Sequence, residues 1–147
     1  MPTLICFGNP YLDYDRSAIL LVNELRTIIL SFGVEIKFLK DPFLILDEFE
    51  QSRDKNIIII DSADIKRMTI VSAHELDRLR FSEHTISLHD FDLNFLLPLL
   101  NRLEVLDKNK IKLSIIAIPM DFYNRPIKEQ EKMKQELIKY IKSLTSN

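Results

Sequence analysis

Three residues able to bind a metal or move a proton stand where apolar segments meet polar chain. Asp15 lies in CFGNPYLDYDRSA (Cys6–Ala18), Asp61 closes NIIIID (Asn56–Asp61), and His89 lies in SLHDFDL (Ser87–Leu93), just before a leucine-rich stretch. Two carboxylates and an imidazole make an oxygen and nitrogen donor set suited to a divalent transition metal. Such a set leaves coordination positions open to water or substrate. Each residue also has an ordinary role open to it. An acid at Asp15 can cap the helix that follows, or be favoured there by the helix dipole. Asp61 can open a turn through its side chain, and His89 can be a half-buried histidine bonded to backbone. His74 and His84 carry no spacing signal. Of the two nearby tyrosines, Tyr11 is expected to pack against the strand end, while Tyr14 is left between packing and lining a cleft.

Other chemistries find no support. Neither GxSxG nor HExxH occurs, so no serine nucleophile or zinc-protease helix announces itself. The chain has only two glycines, Gly8 and Gly33, and with these neither GxGxxG nor a P-loop can be written. Its single cysteine rules out an internal disulfide and a thiolate-based metal site within one chain. Cys6 sits in an apolar strand pattern and reads as a small core residue. With a formal net charge of −2 and scattered Lys and Arg, nothing calls for a nucleic-acid partner. No basic region precedes a long apolar run at the N-terminus, and no run approaches the roughly 20 residues of a membrane span, so the expectation is a soluble, cytoplasmic protein without a membrane partner.

The elements that must position these residues follow from periodicity. Thr3–Phe7 reads as a buried strand ended by Gly8. From Asp15 the period changes: Ala18, Leu21, Val22, Leu25, Ile28, Ile29 and Phe32 recur at three and four, which predicts one helical face with Gly33 as its C-cap. Val34–Leu39 alternates like a second strand, and DPFLILDEFEQ reads as a turn and short helix. Four consecutive isoleucines, Ile57–Ile60, suit a central parallel strand covered on both faces. Met68–Phe81 is an irregular excursion containing a strand, and Leu93, Leu96, Leu97, Leu100 and Leu103 mark another helix, with Pro98 in its first turns or at a kink. Lys112–Pro119 is a last apolar strand. Pro126 opens a closing helix with Met133, Leu137, Ile138, Ile141 and Leu144 on one face. The alternation predicts a single α/β domain over residues 1–147, a three-layer sandwich with a mostly parallel central sheet flanked by helices. Ligands bind such sheets at the carboxyl ends of the strands, where Asp13, Asp15, Asp61 and His89 can converge.

Three segments together resemble a known family. GNPYLDYDRSA (Gly8–Ala18), IIIIDSAD (Ile57–Asp64) and SLHDFDLNFLL (Ser87–Leu97) are similar, in order and approximate separation, to the three motifs of the hydrogenase maturation proteases. The resemblance implies an α/β sandwich and an endopeptidase that removes a C-terminal tail from the large-subunit precursor of a nickel–iron hydrogenase after nickel insertion. It also implies that nickel already held by the substrate is the recognition element, contacted by Asp15, Asp61 and His89. The chain departs from the pattern in three places. Tyr14 replaces the first acid of the usual pair, with Asp13 preceding it; Arg16 and Ala18 replace the glycines that usually follow the pair; and the last strand ends in IAIPMDF (Ile116–Phe122) where the family commonly carries glutamine. These departures leave open an alternative of the same fold, a non-catalytic module that binds the large subunit or its metal.

Overall fold

A computed structural model of the chain describes residues 2–8, 11, 16–40, 44, 47, 48, 56–72 and 111–145. Five strands form one sheet in the order β2-β1-β3-β5-β4. They are β1 (Thr3–Phe7), β2 (Glu35–Leu39), β3 (Asn56–Ala63), β4 (Thr69–Ser72) and β5 (Lys112–Pro119). The first three pairings (β1 with β2, β1 with β3, β3 with β5) are parallel, and β4 runs antiparallel on the edge beside β5. The chain therefore has a mostly parallel α/β sheet, and the strand expected within Met68–Phe81 is β4.

The isoleucine run occupies the centre, as its composition predicts. Ile57, Ile58, Ile59 and Ile60 are all fully buried, which a strand achieves only when both faces of its sheet are covered. Leu4, Cys6, Ile58, Ile60, Ile116 and Ile118 share one face. Over that face pack α1 (Ser17–Glu24), α2 (Arg26–Ser31) and α3 (Ile127–Thr145). Cys6 is buried there, the core residue its pattern implied. Ile5, Phe7, Ile57, Ile59, Leu113 and Ile115 alternate onto the opposite face and are equally buried. The short helix expected after Asp41 and the leucine helix Leu93–Leu103 lie largely or wholly outside the described residues.

The first helical segment is not one straight helix. It breaks at Leu25, whose backbone (φ −95°, ψ 6°) leaves helical values between α1 and α2. Ala18, Leu21, Val22, Leu25 and Ile29 are buried as their spacing predicts, but Ile28 is 43% exposed. A single 3.6-residue period drawn through the break misplaces that one residue. Gly33 ends the segment as expected, at φ 82°, with its N–H donating to the Leu30 carbonyl at 3.0 Å. The closing helix also begins as read, since the Pro126 carbonyl accepts its first intrahelical bond from the Gln130 N–H at 3.1 Å. Side-chain bonds hold α3 to the sheet: the Tyr140 hydroxyl bonds to the Ser114 hydroxyl at 2.9 Å, and the Asn56 amide donates to the Leu144 carbonyl at 3.3 Å. At the other end of α1, Lys134 of α3 pairs with Glu24, to which the half-buried Tyr123 hydroxyl also donates at 3.5 Å. Burial, and then the Glu24 charge, push the Tyr123 phenol well above its ordinary pKa.

Gly33→Ala isolates backbone strain, because nothing stands within 4 Å of where the new methyl would lie. Urea unfolding should show a loss of about 1–2 kcal/mol. An unchanged midpoint would mean that the turn relaxes out of the left-handed region at no cost.

Candidate functional site

Strand order reverses between β1 and β3. The chain first moves outward from β1 to β2, then returns across β1 to place β3 on its other side. The carboxyl ends of β1 and β3 therefore border the crevice where such sheets take ligands. β1 ends at Phe7 and is followed by Gly8 at φ 146°, a backbone state that residues with a Cβ rarely adopt. On β3 the last residue paired with β1 is Ile60, opposite Cys6. Asp61 comes next, at the mouth of the crevice.

Asp61 is within the strand rather than opening a turn: β3 continues to Ala63, and Asp61 pairs with Ala117 of β5. Its side chain is turned to the face it shares with Ile57 and Ile59, opposite α1. The carboxyl group is only 5% exposed, and its Oδ1 accepts the Ser62 N–H at 2.8 Å. A carboxylate so placed has a defined orientation, because the bond to the adjacent backbone fixes one oxygen.

Ser62 alternates onto the other face and reaches α1. Its Oγ accepts the Ala18 N–H at 2.9 Å, and both residues are fully buried. This bond supplies what the helix lacks locally. The N-cap residue is Arg16, not Asp15, and Arg16 offers no side-chain capping bond. One of the free N–H groups of the first turn is thus satisfied by a strand rather than by a neighbour in sequence. Beside it, the Ser17 hydroxyl donates to the Met120 carbonyl, just past β5, at 2.6 Å. The start of α1 is fastened to the ends of two strands at once.

These bonds tie the end of β1 and the start of α1 to the same strand, β3. The strand that feeds the loop pairs Cys6 with Ile60, and the helix that receives it bonds Ala18 to Ser62. The two attachments stand on either side of Asp61.

Asp13, Tyr14, Asp15 and His89 lie outside the described residues, as do His74 and His84. Among the described residues no group of three or more His, Cys, Asp and Glu is placed to hold a metal ion. Nor, among them, is any helix long and apolar enough to cross a membrane. Tyr11 is 85% exposed, which corrects the expectation that it packs against the strand end. The positioning residues that sequence reasoning overlooked are Ser17 and Ser62. The signal was present in IIIIDSAD: a small hydroxyl next to the aspartate, one residue later and so on the opposite face.

No protein-family model matches the sequence, and no curated protein matches it. The fold does match solved structures. Over 99% of this chain and 100% of the other, it is similar to the NiFe hydrogenase maturation protease HybD from Thermococcus kodakarensis, with a TM-score of 0.64 and 18% identity. It is also similar to the hydrogenase maturating endopeptidase HybD from E. coli, covering 96% and 90% of the two chains at a TM-score of 0.52 and 16% identity. An uncharacterized protein from Wolinella succinogenes matches over 97% and 95%, at a TM-score of 0.53 and 14% identity. The chain has the fold of the hydrogenase maturation proteases.

Ser62→Ala leaves the buried Ala18 N–H without its acceptor. Chemical denaturation should show a loss of about 1–3 kcal/mol, and the Ala18 amide should exchange with solvent faster than in the parent. Unchanged stability and exchange would show that the strand does not hold the helix start.

Proposed function

We propose that this protein is an endopeptidase of the hydrogenase-maturation type. In this reading it removes the C-terminal tail of a nickel–iron hydrogenase large-subunit precursor after nickel has been inserted. Asp15, Asp61 and His89 contact nickel that the substrate already holds, and so bring the scissile bond to the sheet edge. The observation that carries the reading is the placement of Asp61, buried and oriented by the Ser62 N–H, where the strand order reverses in a sheet of this fold. Asp15 and His89 enter this reading from the resemblance of their segments to the family's motifs. The fold shared with two HybD proteins supports the same class of activity.

The chemistry asked of the chain's own residues is positioning. Asp61, oriented by the Ser62 N–H, offers a fixed anionic oxygen to a cation at the mouth of the crevice. Asp15 would add a second carboxylate from the loop, and His89 a nitrogen. A metal gripped at two ends, by enzyme and by substrate, converts a bimolecular encounter into a fixed geometry around the bond to be cut. The substrate's nickel serves as the handle by which that geometry is set.

A second reading, a non-catalytic module that binds the large subunit or its metal, is favoured by the start of α1. Arg16 is exposed there and Ala18 is fully buried, where the resembling motif carries glycines that let a substrate backbone come close.

Incubation with nickel-loaded large-subunit precursor, followed by mass spectrometry, separates the two. The endopeptidase reading expects loss of a C-terminal peptide from the precursor; binding without mass loss supports the module instead. Asp61→Asn should slow processing by more than about 100-fold, beyond the cost of losing an outer-shell partner of a metal ligand, while the circular dichroism spectrum stays that of the parent. Normal processing by this variant would remove Asp61 from the site.

A further inference from the structure

A second feature opens at the same edge of the sheet. A cavity of about 660 Å³ lies between the loop after β3 and the turn after β5. Its lining includes Lys66 and Arg67 on one side and Met120, Asp121 and Arg125 on the other, with Asp64 at the β3 end. Asp64 is the first residue after β3, where the chain turns and the Ile65 N–H donates to the Ala63 carbonyl at 2.9 Å.

The walls are built rather than loosely apposed. The Met120 N–H donates to the Ala63 carbonyl at 2.9 Å, joining the two loops at their roots. Arg125, with its side chain 18% exposed, spans them: its Nε donates to Asp121 Oδ1 at 2.9 Å and its Nη2 to the Ile65 carbonyl at 3.5 Å. Because the Met120 carbonyl also receives the Ser17 hydroxyl, the cavity wall is continuous with the start of α1. Three cations line the space against two carboxylates, and one of those carboxylates, Asp121, is engaged by Arg125. Lys66 and Arg67, both exposed, and Asp64 are the other charged residues of the lining, so the local balance is positive in a chain whose net charge is −2.

We propose that this cavity binds the free C-terminal carboxylate of an extended peptide, as the subsite for the tail on the leaving side of the cleaved bond. The role in cleavage rests on the endopeptidase reading above; the carboxylate site itself does not. Its volume falls in the range of small-ligand sites. A guanidinium fork such as that of Arg67 matches a planar carboxylate in two parallel hydrogen bonds, and Lys66 adds a mobile point charge. Ile65 and Met120 supply apolar wall for the residues that precede the carboxylate.

Nuclear magnetic resonance titration of the metal-free full-length protein tests the site without any cleavage. The probes are N-acetyl-tetra-alanine as free acid, the same peptide as C-terminal amide, and inorganic phosphate. The free acid should shift the backbone amides of Lys66, Arg67, Met120 and Asp121 saturably. The amide should bind at least about tenfold more weakly, as should the free acid to a Lys66→Gln, Arg67→Gln double variant. Asp61→Asn should bind the acid as the parent does, so a failed precursor assay and a failed titration are told apart. Equal binding of acid and amide, shifts confined to other regions, or phosphate binding as tightly as the acid at these residues would overturn the proposal.

Discussion

The hydrogen bond from the Ala18 N–H to the Ser62 Oγ sets the geometry on which the candidate site depends. A helix start ordinarily draws its cap from the residue just before it, yet Arg16 gives α1 none. The acceptor comes from β3, 44 residues later in the chain, and Ser17 adds a second tie to the end of β5. The helix can begin where it does only when β3 is seated in the sheet beside β1. Because these ties are long-range, the start of α1 is fixed by tertiary assembly rather than by local propensity.

The strand divides two tasks between adjacent residues. Alternation along β3 sends Ser62 to the helical face, where it holds α1, and Asp61 to the opposite face, where its carboxylate is oriented by the Ser62 N–H. A slip of one residue in register would exchange the two, placing a charge under α1 and a hydroxyl at the crevice. The four fully buried isoleucines before them oppose such a slip, since they are paired on both sides, with β1 and with β5. The apolar core thereby sets the register of the polar residues that follow it.

Much of this was legible in the residues themselves. A run of four β-branched isoleucines favours a central strand, and Gly33 and Pro126 mark helix boundaries through backbone constraints that act locally. What escaped depended on geometry between distant segments. The exposure of Ile28 follows from the break at Leu25, which no period of hydrophobicity announces. The exposure of Tyr11 is not announced by an aromatic ring next to an apolar strand, which reads equally well as packing. The assignment of the helix cap to Ser62 could not be read from the segment around Asp15, because the partner is in another strand. Asp61 was found because a carboxylate at the end of an apolar strand is conspicuous; Asp15 and His89 belong to the same pattern, and the described residues include only Asp61.

The central claim is that Asp61 belongs to a site that grips the substrate's nickel. Anomalous diffraction at the nickel edge, from crystals of the protein with nickel-loaded large-subunit precursor, locates that metal directly. The account predicts one nickel peak about 2 Å from a carboxylate oxygen of Asp61, with Asp15 and His89 in the same coordination sphere. A nickel peak more than roughly 10 Å from Asp61, far beyond any first-shell bond, would contradict it.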